Sequence, residues 1–209
     1  MKKIILSLFL LLTLTYAESP IKRDFEVGKW RGFFGVEGGV GNIDIFTAFI
    51  LSANAFNDYG LLGLSYGGGI LGGWQKYTYE KIGMRNTLGL RVFGAKNLKA
   101  KNASYEKYEK DLFIDTTFYY AFDGLFDFVK NGNNRFGMSL GFSTDLLQLT
   151  ESKNLSGFGF FFRFSPRLGF YTQFDNHIVD FIASVPIIGA GGGELAYNST
   201  LTLSYKYLF

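Results

Sequence analysis

From residue 30 to residue 209, apolar and polar side chains alternate with a period of two in eight segments, the spacing that gives a β-strand one face of each kind. The segments are residues 30–41, 64–77, 84–94, 111–122, 135–145, 157–171, 176–188 and 200–209. In the first, Trp30, Phe34, Val36 and Val40 share one parity, and Arg31 and Glu37 hold the other. In the third, Leu88, Leu90 and Val92 oppose Arg85, Thr87 and Arg91. The sixth sets Phe158, Phe160, Phe162, Phe164, Leu168 and Phe170 against Arg163, Ser165 and Arg167. Pro166 interrupts its ladder, because proline lacks a donor, and predicts a bulge there or an earlier strand end. The last segment, TLTLSYKYLF, places Leu201, Leu203, Tyr205, Tyr207 and Phe209 on one face and hydroxyls with Lys206 on the other.

Alternation alone fits two molecules: a soluble barrel or sandwich with its oily face inward, or a membrane barrel with that face outward. Three observations decide between them: the secretory start of the chain, the glycines, and above all side-chain volume. Eight strands enclose an interior just wide enough for side chains, and Trp30, Phe34, Tyr66, Trp74, Phe118, Phe158, Phe160, Phe162, Phe164 and Tyr205 would overpack it. Those rings are therefore expected to face lipid. The fold expected is all-β: an eight-stranded antiparallel transmembrane β-barrel over residues 30–209, closed because an unpaired edge in hydrocarbon is costly. A strand tilted by about 40° climbs ~2.5 Å per residue, so about ten residues cross an apolar band of ~25 Å.

The opposite parity then lines the lumen. It supplies Arg31, Glu37, Arg85, Arg91, Asp115, Arg135, Asp145, Arg163, Arg167, Asp180 and Lys206, seven cations and four anions. Charges in so narrow a space need partners, which predicts a network of ion pairs and hydrogen bonds that plugs the barrel. The alternative is a thread of water that prefers anions.

Composition sharpens the picture. The 24 Phe, 13 Tyr and 27 Gly exceed what a soluble domain of this size uses, whereas aromatic belts at two interfaces and a tightly curved wall would employ them. Cysteine is absent, so neither disulfides nor thiol chemistry is available. Residues 1–17 carry Lys2 and Lys3, an uncharged stretch too short to span a bilayer, and a Thr15-Tyr16-Ala17 end, which together read as a cleaved signal peptide. Residues 18–29 would be a periplasmic N-terminal segment. Without Lys2 and Lys3 the chain has 19 basic and 18 acidic residues, a balance that offers nucleic acid no electrostatic footprint.

An even strand count places both termini in the periplasm. The outward connections are then residues 42–63, 95–110, 146–156 and 189–198, and the periplasmic ones 78–83, 123–134 and 172–175. Within 123–134, LFDFV is expected to form a helical turn before the KNGNN breaker. The IDIFTAFILSANAF stretch of the first outward connection is too apolar for a solvated loop, and three roles fit it: a cover for the mouth, a segment sunk in the outer leaflet, or a patch for a partner. The second, AKNLKAKNASYEKYEK, suits contact with lipopolysaccharide headgroups. A host or surface ligand would have to use these two connections, 42–63 and 95–110.

Catalytic chemistry finds little to work with. His177 is the only histidine, and it stands at the periplasmic start of the seventh strand on the lipid-facing parity. A general base there would need a nucleophile and an orienting acid in reach, a set that eight-stranded lipid A deacylases carry. His177 is far from the outer leaflet where that lipid lies, and an outer-membrane lipid-modifying enzyme is the remaining alternative. With neither a thiol nor a second imidazole, no metal site or cofactor is expected. The glycine runs GGGILGG and GAGGG lack the strand-to-helix context and lysine of a phosphate loop. The sequon triplets at Asn102, Asn154 and Asn198 read as polar loop residues.

Two resemblances add to this. A last strand ending on Phe209 resembles bacterial outer-membrane barrels, which implies that Leu201, Leu203, Tyr205, Tyr207 and Phe209 are read by the barrel-assembly machinery. GFFGVEGGVG at 32–41, FDFVKNGNNRFGMSLGFS at 126–143 and HIVDFIASVPII at 177–188, followed by YNSTLTLSYKYLF, resemble the Helicobacter outer membrane protein family. That family includes adhesins and porins, so the resemblance implies the bacterial outer membrane as location and its lipid as partner. The long extracellular region of the larger adhesins has no counterpart here.

Overall fold

The computed structural model describes residues 27–41, 61–62, 65–96, 99–100, 112–151, 159–190 and 199–209. Its strands are β1 (Arg31–Gly41), β2 (Leu61–Leu62), β3 (Ser65–Tyr77), β4 (Ile82–Lys96), β5 (Lys99–Ala100), β6 (Leu112–Asn131), β7 (Asn134–Glu151), β8 (Gly159–Phe174), β9 (His177–Ser184), β10 (Ile188–Ala190) and β11 (Thr200–Leu208). Each wall strand pairs antiparallel with its sequence neighbour in the wall, and β11 pairs with both β9 and β1. That last pairing closes the sheet on itself. With β10 continuing β9, the wall is an eight-stranded antiparallel barrel with no free edge.

Three short turns gather at one end. Residues 78–81 join β3 to β4, Gly132 and Asn133 join β6 to β7, and Asp175 and Asn176 join β8 to β9. Gly132 opens its two-residue turn at φ 60°, a left-handed conformation that glycine adopts without a Cβ clash. At the far end a separate two-stranded ladder pairs Leu61 and Leu62 of β2 with Ala100 and Lys99 of β5. The segments joining the strands there, and residues 1–26, lie outside the described residues. With them lie the expected signal peptide, the sequons, Phe158 and the bulk of the four long connections.

Several expectations need correction. The connection at 123–134 is almost all strand, and LFDFV is extended rather than helical. Its pattern says why: Asp123, Leu125 and Asp127 are buried between Gly124, Phe126 and Phe128, a two-residue repeat that sequence reading stopped at Phe122. A register shift between Asp127 and Val129 leaves Phe128 and Val129 both exposed, and this bulge is what breaks the alternation. Residues 146–151, expected in a loop, continue β7 in register with β6 and, through Leu149, with β8. β4 likewise reaches Lys96 and β8 reaches Phe174, so the connections expected at 95–110 and 172–175 are shorter.

The seventh expected strand, 176–188, is interrupted instead of continuous. Arg167 pairs with Ser184 and Phe164 with Ile188, so three residues of one strand oppose two of β8. Pro166 itself stays in register with Phe142 and accepts a bond from the Val185 N–H at 3.1 Å. The missing proline donor therefore faces the irregular stretch of its neighbour, which holds Pro186, and no ladder bond is lost.

Candidate functional site

The barrel has two surfaces of opposite character, and each strand contributes to both. On the outside stand Trp30, Phe34, Tyr66, Trp74, Phe118, Phe162 and Tyr205, all at least 42 % exposed, together with Leu88, Leu90, Leu140, Leu168 and Leu203. On the inside the long polar side chains are almost wholly withdrawn from solvent: Arg85, Arg91, Arg135, Arg163, Arg167 and Lys206, with Asp123, Asp127, Asp145 and Asp180. Period-two alternation makes this inversion automatic once one strand is oriented.

The interior is organised in three levels. At the turn end, Asp127 accepts from the Tyr171 hydroxyl and from Arg135, and Tyr77 joins it at 3.2 Å. The Arg135 guanidinium also lies 3.9 Å from the centre of the Tyr77 ring. Around this group Phe33, Leu71, Leu125, Ile178 and Leu208 pack with the two tyrosine rings into an apolar floor.

At mid-height, Arg85 grips Asp180 with one nitrogen 3.0 Å from both carboxylate oxygens. Lys206 pairs with the same carboxylate, and Ser204 donates to it at 3.3 Å. Gln75 links Arg85 on one side to Gln173 on the other. Arg167 pairs with Asp123 at 3.1 Å. Towards the far end, one oxygen of Asp145 takes Arg91 at 3.0 Å and Arg163 at 2.8 Å. Tyr119 donates to Glu37 at 3.0 Å, under the Arg91 guanidinium at 4.8 Å.

Of the residues expected to line the lumen, Arg85, Arg91, Arg135, Asp145, Arg163, Arg167, Asp180 and Lys206 are buried inside, and Glu37 is half-buried among them. Arg31 is half-buried at the rim and donates to Asn176 at 2.8 Å. Asp115 lies in β6, but its side chain is outside what is described. Among the residues expected to signal assembly, Leu203, Tyr205 and Phe209 are exposed on the outer face, while Leu201 and Tyr207 on the same parity are half-buried.

Sequence reading missed Asp123 and Asp127, because it ended the fourth strand too soon. It also missed the floor. The signal was present as apolar doublets, Phe33–Phe34, Ile70–Leu71 and Leu208–Phe209, in which both faces of a strand are apolar at one height. His177 is half-buried at the turn end, its Nδ1 2.6 Å from the Tyr205 hydroxyl and its ring edge-on to Tyr207.

No protein-family model matches this chain, and no curated protein matches it. Among solved structures it is similar to Ail, the attachment invasion locus protein of Yersinia pestis, with 9 % identity and a TM-score of 0.48. That match covers 88 % of this chain and 100 % of the other. A likeness at that score and identity supports no functional assignment.

Proposed function

We propose that this protein is an outer-membrane β-barrel that serves as a non-conducting, surface-interacting anchor, with both termini in the periplasm. The observation that supports it most is the outer surface. Around a closed wall, Phe34, Trp74, Phe118, Leu140, Phe181 and Leu203 are each 50 % or more exposed, with Ile70, Leu90 and Phe170 between them. An apolar girdle of that extent is unfavourable in water, at roughly 25 cal/mol per Å², and is what a hydrocarbon solvent requires. The periplasm would then face the short turns, and the long connections would face outward.

The interior chemistry supports a plugged lumen. The buried cations Arg85, Arg91, Arg135, Arg163, Arg167 and Lys206 are met by Glu37, Asp123, Asp127, Asp145 and Asp180, a closer balance than the sequence alone implied. With the apolar floor below them, this favours a silent barrel over an anion-preferring pore. Refolded protein in planar bilayers should therefore pass no steady current, and reproducible channels would overturn the plug. Boiled and unboiled samples on a detergent gel test the barrel itself, because a closed barrel migrates differently once unfolded.

The role in surface interaction rests on the far end. The bases of the connections expected to meet a ligand, 42–63 and 95–110, are joined by the β2–β5 ladder, so that the two would act as one surface. Trimming either should abolish binding to cells or matrix if that reading holds, and unchanged binding would remove it. We read the protein as non-enzymatic, since His177 points away from the lumen and is bonded to Tyr205. An unaltered lipid A mass spectrum on deleting the gene is the expected result. The Helicobacter-type resemblance stays part of this proposal, as does the signal peptide, which mass measurement of the mature N-terminus would test.

A further inference from the structure

The protein has two tryptophans, and both stand on one patch of the outer wall at the turn end. Trp74 pairs across the ladder with Gly32, two residues beyond Trp30, and the ring of Phe209 lies over that glycine, so three aromatic rings share the patch. Lys76 lies two residues from Trp74 on the same face of β3, and its Nζ is 5.8 Å from the centre of the Trp30 ring. Among the described residues no carboxylate pairs with Lys76. Its ladder partner is Met84, and the nearest turn acid, Glu80, is engaged by Lys130 at 3.5 Å.

The surrounding rim is cationic. Among the described residues at this end, Lys29, Arg31, Lys76, Lys81 and Lys130 outnumber Glu80 and Asp175. Directly above Trp74 the wall is low because Gly72 carries no side chain; a Cβ there would touch the Phe33 carbonyl at 3.4 Å and the Phe34 ring at 3.8 Å, so the recess is one methyl deep. Phe34 and Leu88 flank that space as the ladder partners of Gly72. Cation, indoles and an apolar recess are thus stacked in the order of a lipid's parts.

We propose that Trp30, Trp74 and Lys76 form a site for the phosphate headgroup of an anionic phospholipid in the leaflet at the turn end, with an acyl chain lying over Gly72. The proposal rests on the outer-membrane reading of the barrel. Indole rings settle at the headgroup level, where their N–H stays wet and their body meets acyl carbon. A lysine held over an indole face keeps its charge at that same level. A basic side chain at an anionic surface favours that lipid by about 1 kcal/mol, or roughly five-fold.

Because Trp30 and Trp74 are the whole tryptophan complement, their fluorescence reports on this patch alone. The barrel would be refolded into vesicles of one fixed mixture of phosphatidylglycerol and phosphatidylcholine, with dibrominated acyl chains carried by one lipid or the other. Expected is quenching that corresponds to about five-fold enrichment of phosphatidylglycerol, reduced to parity in Lys76→Gln and retained in Lys76→Arg.

Equal quenching from both lipids in the unmodified protein would overturn the site while leaving the barrel in its membrane. Quenching that fades as protein is concentrated in the vesicle would assign the patch to a second copy, and so also overturn it. No quenching from either lipid would instead sink the outer-membrane reading on which the site depends. Each variant would first be checked for heat-modifiable migration, so that a failure to fold is not read as lost preference.

Discussion

Two sectors of the same wall treat the lumen in opposite ways. Strands β1 and β3 turn Gly35, Gly39, Gly41, Gly67, Gly69 and Gly73 inward, while β4, β6, β7 and β8 turn Arg85, Arg91, Tyr119, Arg135, Asp145, Arg163 and Tyr171 inward. In a barrel this narrow the two are one arrangement. A Cβ on Gly69 would come within 2.8 Å of the Arg91 Cα, and one on Gly35 would reach the Lys206 Cγ at 3.0 Å. The glycine sector therefore lets neighbouring backbones approach and leaves volume for the long side chains of the other. Position on the wall, and not strand propensity, decides which residue each strand can hold.

The largest effect should come from removing a shared counterion in the charged sector. Asp180→Asn leaves Arg85 and Lys206 buried without their carboxylate, and should cost about 3–5 kcal/mol in urea unfolding followed by tryptophan fluorescence. The triple change of Asp180 to Leu, Arg85 to Met and Lys206 to Met should recover much of that loss. If Asp180→Asn unfolds like the unmodified protein, the charged sector does not hold the barrel.

The glycine sector is tested next. A valine at Gly67 would drive its Cβ against the Val92 carbonyl and within 2.7 Å of the Phe93 Cα, and should cost about 1–3 kcal/mol. Gly38 sits on the same strand pair with its face outward, where a Cβ would meet only the Gly67 carbonyl at 3.7 Å. Gly38→Ala should therefore change stability by less than about 0.5 kcal/mol. Equal losses at the two glycines would mean that curvature is not what the inward set provides.

Tyrosines give the finest comparison. Tyr171→Phe removes a buried donor to Asp127 on the inner face and should cost about 1–2 kcal/mol. Tyr120→Phe removes the outer bond to Asn86 and should cost about 0.6 kcal/mol. Unfolding midpoints that rank these two the other way would contradict the inward and outward assignment.

The pattern of alternation was enough to give the strand count, the face of most described side chains in the segments it covered and much of the buried charge, including Arg85, Asp145 and Asp180. These follow from a local geometry that repeats every two residues. The place of the N- and C-terminal wall strands side by side, as β1 and β11, follows from the need to leave no edge. Which charges meet was another matter. Arg85 lies 95 residues from Asp180 and Arg91 lies 54 from Asp145, and strand tilt sets which inward positions share a height. The same holds for the floor of Phe33, Leu71, Tyr77, Leu125, Tyr171, Ile178 and Leu208, gathered from β1, β3, β6, β8, β9 and β11. Alternation fixes a side chain's face because that depends on its own backbone; its partner depends on how far each neighbouring strand is sheared, and only the closed barrel sets that.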